Sequence, residues 1–127
     1  MFSLQGKSAL VTGAGSSGGI GFATARALRE LGATVFITST SDRIHERAKE
    51  IDAHGFSADL TEESAVKDLL SKISALDIVV NNAGMTSISS PSSISEASDT
   101  ATLSLNDWQR GLMRNIDTAF QIGRAHV

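Results

Sequence analysis

The sequence predicts an α/β protein with a doubly wound parallel sheet of about four strands. Short apolar runs typical of buried strands alternate along the chain with longer segments whose apolar residues recur at helical spacing. The first apolar run leads directly into a glycine-rich turn and then a helix, as in a βαβ unit. Strands that alternate with helices form parallel sheets with right-handed crossovers and with helices on both faces.

The elements are predicted in this order. Strands are expected at residues 7–12, 33–38, 55–58 and 77–80, and helices at residues 20–31, 42–53, a segment capped by Thr61, and 105–120. The apolar sides of the first three helices are expected to carry Ala23, Ala27, Leu28 and Leu31, then Ile44, Ala48 and Ile51, then Val66, Leu69, Leu70 and Ile73. Ser104 and Asp107 have the spacing of a capping-box variant, and Trp108 is expected to anchor the last helix by packing.

Residues 85–104 differ in composition from the rest of the chain. Eleven of these twenty residues are Ser or Thr, and Pro91 is the only proline of the sequence. Such a composition does not supply the apolar periodicity of a helix or a strand. We therefore expect a long surface loop between the fourth strand and the fourth helix.

The most informative segment is the glycine-rich turn after the first strand. It reads Thr12-Gly13-Ala14-Gly15-Ser16-Ser17-Gly18-Gly19-Ile20-Gly21. Glycines let the backbone approach a pyrophosphate closely, and the N–H groups and dipole of the following helix attract the anion. At the start of a βαβ pattern, this turn predicts the phosphate cradle of a Rossmann-type dinucleotide-binding domain.

Two registers of this turn compete. In one, Gly19-Ile20-Gly21 opens the helix, and in the other, Gly13-x-Gly15-x-x-Gly18 forms the generic dinucleotide fingerprint. We favour the first register because the apolar face of the helix is expected to begin at Ile20. Whether Ser16 or Ser17 contacts the phosphate stays open.

The end of the second predicted strand indicates which dinucleotide is bound. A carboxylate there would bond the ribose 2′-hydroxyl of NAD and repel a 2′-phosphate. This chain has Ser39 and Thr40 instead, with no carboxylate before Asp42. Their hydroxyls can donate to a phosphate, and Arg43 can neutralise it. We therefore predict NADP rather than NAD, with the alternative that Arg43 is a solvated residue paired with Glu46.

Composition excludes several classes of function. The net charge of −3 provides no basic surface for nucleic acid. No apolar run reaches the length of a membrane span, and the absence of cysteine fits a cytoplasmic setting. His45 and His54 lack the spacing of metal ligands, so no metal site is expected.

Four motifs together resemble the short-chain dehydrogenase/reductase family, in particular its 3-oxoacyl-acyl-carrier-protein reductase branch. They are the glycine turn, Asp59-Leu60, Asn81-Asn82-Ala83-Gly84, and Asn115 after Trp108, and the resemblance covers residues 5 to 121. One departure is that five residues separate the first glycine from Gly19-Ile20-Gly21, where the family usually has three.

The resemblance implies hydride transfer between nicotinamide and a carbonyl or alcohol carbon of a small molecule, in a full-length protein that forms homo-oligomers. It implies that Asp59 and Leu60 contact the adenine, that Asn82, Ala83 and Gly84 line the nucleotide cleft, and that Asn115 organises a proton relay to a catalytic lysine. With the residues derived above, the predicted cofactor-binding set is Gly13, Ser16, Ser17, Gly19, Ile20, Gly21, Ser39, Thr40, Arg43, Asp59, Leu60, Asn82, Ala83 and Gly84.

The family's chemistry also needs a serine, a tyrosine and a lysine that follow the fourth helix. This sequence contains no tyrosine, and residues 122–127 match the translation of a widely used DNA-sequencing adapter. We therefore expect residues 1–121 to be the N-terminal part of a Rossmann domain, truncated to about four strands and inactive alone. A non-catalytic dinucleotide-binding module or redox sensor is the alternative.

Overall fold

Strands and helices alternate through residues 2–84 and 101–126, which the computed structural model describes. In chain order they are β1 Ser8–Val11, α1 Ile20–Glu30, β2 Thr34–Ser39, α2 Arg43–Ile51, β3 His54–Ser57, α3 Glu63–Ser71, β4 Ile78–Val80, α4 Leu105–Leu112 and α5 Thr118–His126. A π-helical turn, Met113–Asp117, joins α4 to α5. Most of the predicted loop at 85–104 lies outside the described residues.

The four strands form one parallel sheet in the order β3-β2-β1-β4. The connections through α1 and α2 step in one direction across the sheet, and the connection through α3 returns to the other side of β1. The strand order therefore reverses between β1 and β4, which is the topological switch point where doubly wound sheets bind their ligands. The predicted Rossmann-type α/β class is confirmed.

Apolar side chains pack on both faces of this sheet. On one face, Phe22 of α1 and Ile44 of α2 are buried against β1 and β2. On the other face, Leu10 of β1 is buried with Leu69 of α3 and Ile122 of α5. Helices thus cover both faces, as strands with almost continuous apolar sequences require.

The apolar sides of α2 and α3 were predicted correctly for the most part, and that of α1 was not. Ile44, Ala48 and Ile51 are buried, as are Val66, Leu69 and Ile73, whereas Leu70 is half-buried. In α1 the buried residues are Gly21, Phe22 and Ala25, while Ala23, Ala27 and Leu31 are exposed and Leu28 is half-buried. The helix carries two apolar stripes, and the one with the large Phe22 ring removes more apolar surface from water.

Of the two predicted helix caps, the one at α4 forms and the one at α3 does not. Ser104 caps α4 as expected, because its Oγ accepts a hydrogen bond from the Asp107 N–H at 3.1 Å. Thr61 does not cap α3, which begins after Glu62 without a side-chain cap. Thr61 instead donates its hydroxyl to Asp59 Oδ1 at 2.6 Å, so its side chain is directed towards the residues before the helix.

The last helix was predicted as one continuous segment and contains a wide turn. The Asn115 side chain donates to the Gly111 carbonyl at 2.9 Å, which occupies the acceptor that the Asn115 N–H would use in an α-helix. Trp108 is 53% exposed, so its predicted role as a packing anchor is wrong within the described residues. No helix in those residues is long and apolar enough to cross a membrane.

Residues 122–126 continue α5 and contribute to the fold. Ile122 is only 1% exposed, and Arg124 forms an ion pair with Glu63 of α3 at 2.7 Å. A hydrogen bond from Lys67, followed by the charge of Arg124, lowers the pKa of the Glu63 carboxyl. The origin of residues 122–127 is a question about the coding DNA and stays a prediction.

Candidate functional site

The carboxyl edge of the sheet brings the predicted segments together. The Thr12 N–H donates to the Val80 carbonyl at 3.1 Å, which joins the ends of β1 and β4. On the other side of β1, the Ala14 N–H donates to the Thr38 carbonyl of β2 at 2.9 Å. The glycine turn therefore begins between β2 and β4, at the switch point of the sheet.

Three glycines of this turn are required by close packing. A Cβ on Gly13, whose φ is +70°, would lie 2.8 Å from the Ala83 Cα. A Cβ on Gly15 would lie 2.8 Å from Ser39 Cβ, and one on Gly21 would lie 2.5 Å from Asn82 Nδ2. A Cβ on Gly18 would meet nothing within 4 Å. The turn is thus packed tightly against its neighbours at one side and open around Gly18.

Helix α1 begins where the favoured register places it. Gly19 has extended dihedral angles, φ −86° and ψ 160°, and Ile20 is the first helical residue. The reason given for that register was wrong, because Ile20 is 79% exposed and does not begin a buried face. Ser16 and Ser17 are also exposed, next to the first N–H groups of α1, which have no partner within the helix. Their contact with a phosphate stays a prediction.

The predicted residues Asn82 and Ala83 are hydrogen-bonded to Thr12, which was not among the predicted site residues. Thr12 Oγ1 accepts hydrogen bonds from the N–H groups of Asn82, at 3.1 Å, and Ala83, at 2.9 Å. The Asn82 side chain donates in return to the carbonyls of Thr12, at 3.1 Å, and Gly13, at 3.0 Å. These four bonds hold the glycine turn before any ligand binds. The sequence feature that could have predicted this role is the position of Thr12 between a buried strand and Gly13.

Asn115 lies at the same edge as the end of the Asn-Asn-Ala-Gly segment. Its Oδ1 would be 2.7 Å from a Cβ on Gly84, so the two residues approach closely only because Gly84 has no side chain. The wide turn Met113–Asp117 surrounds Asn115, and π-helical turns are frequent at functional sites. The structure thus brings Asn115 next to the cleft, and its part in a proton relay stays a prediction.

Ser39, Thr40 and Arg43 surround the end of β2. The Ser39 hydroxyl donates to the Ser41 carbonyl at 2.9 Å, and Thr40 is exposed. Arg43 is exposed and donates from Nε to Ser41 Oγ at 3.3 Å. The alternative pairing of Arg43 with Glu46 does not form, since Glu46 pairs with Arg47 at 3.4 Å.

Asp59 and Leu60 follow β3 at the neighbouring strand end. Asp59 Oδ1 accepts hydrogen bonds from the Thr61 N–H, at 3.0 Å, and from the Thr61 hydroxyl, at 2.6 Å. These bonds orient the carboxylate. Leu60 is 4% exposed and packs in the core, so any contact of this residue with a ligand would come through its backbone. Within the described residues, no group of three His, Asp or Glu side chains could hold a metal ion.

Comparison with known proteins identifies the family. The family model described as short chain dehydrogenase matches residues 7–127. The chain belongs to the short-chain dehydrogenase family. Over 130 residues it is 35% identical to the 3-oxoacyl-acyl-carrier-protein reductase FabG of Aquifex aeolicus (strain VF5), and the match covers 94% of this chain and 48% of that reductase. The predicted resemblance is confirmed.

Solved structures that are similar in sequence to this chain have the same fold. The citronellol catabolism dehydrogenase AtuB of Pseudomonas aeruginosa PAO1 superimposes with a TM-score of 0.83 and 29% identity, over 98% of this chain and 51% of that one. The RhlG/NADP active-site complex of Pseudomonas aeruginosa gives a TM-score of 0.77 and 31% identity, over 99% and 47% of the two chains. This chain therefore spans about half the length of these relatives.

Proposed function

We propose that this chain forms the nucleotide-binding part of an NADP-dependent oxidoreductase that transfers a hydride between nicotinamide and a carbonyl or alcohol carbon. The observation that carries the proposal is that a hydrogen-bonded glycine turn, the start of α1 and Arg43, which forms no ion pair within the described residues, lie at one edge of the sheet. Pyrophosphate and 2′-phosphate are the two anionic groups of NADP that such a site would bind.

The residues at the glycine turn fit a pyrophosphate. Gly13, Gly15 and Gly21 have no space for a side chain, and the turn is already held by Asn82. Backbone N–H groups at the start of α1 and the exposed hydroxyls of Ser16 or Ser17 supply donors for the phosphate oxygens. Because the turn is preformed, its ordering costs little free energy when the anion binds.

The residues at the end of β2 fit NADP better than NAD. The strand ends at Ser39 without a carboxylate, so no negative charge there opposes a 2′-phosphate. Within residues 2–84 and 101–126, Arg43 forms no ion pair, because Glu46 and Glu50 both pair with Arg47. Its charge is therefore available to an anion. The RhlG relative, 31% identical to this chain, is a complex with NADP and supports the same choice.

Membership of the short-chain dehydrogenase family, rather than the residues of this chain alone, supports hydride transfer as the reaction. Bound NADPH would supply the hydride, and a neighbouring acid would protonate the carbonyl oxygen. Asn115, beside Gly84, is the residue of this chain that we place in the proton relay. The 35% identity to FabG supports a 3-oxoacyl thioester or a related carbonyl compound as substrate. We place the activity in the cytoplasm and in a homo-oligomer of the full-length protein.

A non-catalytic dinucleotide-binding or redox-sensing module is the second candidate. The observation that favours it is that the glycine turn is held by Asn82 without a ligand, and binding a dinucleotide there needs no proton donor. Both candidates share the nucleotide site. They differ in whether the chain supports reduction of a carbonyl compound.

Binding and turnover measurements on the purified 127-residue chain test both proposals. We expect NADPH to bind about tenfold more tightly than NADH by isothermal titration calorimetry, a difference of about 1.4 kcal/mol. Arg43→Ala should remove this preference, and Lys49→Ala, which removes an equal charge at the far end of α2, should keep it. A chain that binds neither dinucleotide would contradict the proposal.

Catalysis is tested separately on the same preparation. We expect the 127-residue chain not to oxidise NADPH in the presence of a 3-oxoacyl thioester. A version extended with natural sequence that contains the family's tyrosine and lysine should do so. Reduction by the 127-residue chain itself would show that another residue replaces the tyrosine.

A further inference from the structure

We infer that the open edge of β3 binds a short, uncharged, extended peptide segment of a partner protein, which joins the sheet as an added strand. A groove of about 280 Å³ follows this edge, between His45 of α2 on one side and Asp68 and Lys72 of α3 on the other. The inference goes beyond the proposed nucleotide site, because β2 separates this edge from β1 and its glycine turn.

The backbone of β3 directs hydrogen-bonding groups into the groove. The Ala58 N–H donates to the Ser39 carbonyl at 2.9 Å, so the backbone of Ala58, and by alternation that of Phe56, points towards β2. The N–H and C=O groups of Gly55 and Ser57 therefore point away from β2, and within the described residues no strand lies beyond β3. Such unpaired groups are the donors and acceptors that an added strand uses.

The edge itself lacks the features that usually prevent strand addition. Its sequence, His54-Gly55-Phe56-Ser57, has no proline, lysine or carboxylate, and it pairs with β2 in a continuous register without a bulge. The flanking helices are what limits access. Helix α2 lies so close that a Cβ on Gly55 would be 2.9 Å from the Ile44 carbonyl oxygen. The edge is therefore open only along the groove between the two helices.

The size of the groove selects a single short segment. One residue of a strand occupies about 3.3 Å along the strand, 4.8 Å across the sheet and 10 Å through it, which is roughly 160 Å³. A groove of about 280 Å³ therefore holds about two residues, enough to pair with Gly55 and Ser57. A second copy of this chain would present the same strand between the same helices, and so small a contact is far below the roughly 1,200 Å² that a stable dimer buries.

The side chains around the groove match a segment without charge. Asp68 and Lys72 pair with each other at 3.0 Å, so a charged side chain on the partner would meet a like charge together with the opposite one. Phe56 packs with the core on the α3 side of the sheet, whereas Ser57 and His45 make the α2 side polar. Because side chains alternate along a strand, the segment should carry an apolar residue next to an uncharged polar one.

Two peptide probes test the pairing. The first is acetyl-Val-Ser-Val-Ser-amide, and the second is the same peptide with N-methyl groups on its two central residues, which removes backbone donors and keeps the side chains. In nuclear magnetic resonance titrations of the ¹⁵N-labelled 127-residue chain, the first probe should shift the Gly55 and Ser57 amide signals and slow their hydrogen exchange. The N-methylated probe should bind about tenfold more weakly, because backbone hydrogen bonds are lost.

Two variants at one position test the site. Ser57→Pro removes an outward N–H without breaking a bond to β2, as is tolerated at sheet edges, and should weaken binding of the first probe about tenfold. Ser57→Ala keeps that N–H and should bind as the wild type does. Far-ultraviolet circular dichroism checks folding, and if Ser57→Pro unfolds, the comparison of the two probes on the wild-type chain decides.

Several outcomes would overturn the inference. They are equal binding of the two probes, no binding of the first probe, and binding that leaves the Gly55 and Ser57 amide signals unchanged. Self-association that is lost in Ser57→Pro and kept in Ser57→Ala would assign the edge to a second copy of the chain instead. NADPH binding is measured on the same variants and should not change, so failure at this edge leaves the proposed nucleotide site standing.

Discussion

At the scale of single residues, the packing at the carboxyl edge of the sheet requires glycine at particular positions. Gly21 lies in the first turn of α1, and its Cα faces the Asn82 side chain and the Gly13 carbonyl. A Cβ at this position would be 2.5 Å from Asn82 Nδ2 and 2.6 Å from the Gly13 oxygen. Neither neighbour can move freely, because the two are hydrogen-bonded to each other at 3.0 Å.

Gly21→Ala should therefore destabilise the chain by about 1–3 kcal/mol, the range found for overpacked sites, and should abolish NADPH binding. Urea unfolding and calorimetry measure the two effects. Gly18→Ala is the matched control in the same turn, since a Cβ there meets nothing within 4 Å and φ is not positive. Equal losses of stability in both variants would contradict this explanation.

Single residues were the level at which sequence reasoning failed most often. Motif spacing located the glycine turn, because close backbone approach leaves a glycine pattern in the sequence, and the family resemblance located Asn82. Spacing could not show that the Ser39 proton is used by Ser41, that Ile20 is exposed, or that Thr12 holds the turn. These depend on which of several nearby donors and acceptors meet in the folded chain.

At the scale of elements, Thr12 joins β1 to the segment that follows β4. Thr12 is 1% exposed, and its Oγ1 accepts from two backbone N–H groups, those of Asn82 and Ala83. Replacement by an apolar residue of equal size would leave the Ala83 N–H without this acceptor, whereas the Asn82 N–H also donates to the Val80 carbonyl at 3.1 Å. An unsatisfied buried donor costs about 1–3 kcal/mol.

We expect Thr12→Val to lower the free energy of unfolding by about 1–3 kcal/mol, whereas Thr12→Ser, which keeps the hydroxyl, should lose about 1 kcal/mol or less. Chemical denaturation gives both values. Hydrogen exchange should show faster exchange of the Ala83 amide in Thr12→Val. Unchanged exchange of this amide would argue against the proposed connection.

The order and type of the elements could be predicted from the sequence because apolar periodicity differs between strands and helices. All four predicted strands and all four predicted helices overlap observed elements. The buried side of α1 and the wide turn Met113–Asp117 could not be predicted in this way. In α1, the Phe22 side is buried in preference to the side with smaller apolar residues. At Asn115, the side-chain amide competes with the helix backbone for the Gly111 carbonyl.

At the scale of the whole molecule, the C-terminal helices of the described residues expose several large apolar side chains. Exposed large side chains on α4, the wide turn and α5 are Leu105, Trp108, Met113, Ile116 and Phe120. Strand β4 is also at an edge of the sheet in the described residues, with half-buried side chains. Large exposed apolar patches and open sheet edges promote association in water.

The purified 127-residue chain should therefore self-associate in a concentration-dependent manner in sedimentation velocity experiments. Trp108→Lys and Ile116→Lys should each reduce association, because a charge at these positions would be buried by contact. Gln109→Lys adds the same charge at an exposed polar site of α4 and should have a smaller effect. A monomer at all concentrations would contradict the prediction.

The wide turn at Asn115 also decides how the end of the chain is oriented about its own axis. A π-helical turn accommodates one more residue than an α-helical turn, and each residue of an α-helix advances by about 100°. If all the residues of Met113–Asp117 were kept but formed a regular α-helix, everything after them would be rotated by about that angle. Ile122 would then leave its buried site against Leu69, and Arg124 would leave Glu63. The π-helical turn thus allows Asn115 to face the cleft while Ile122, on the same run of helix, faces the core.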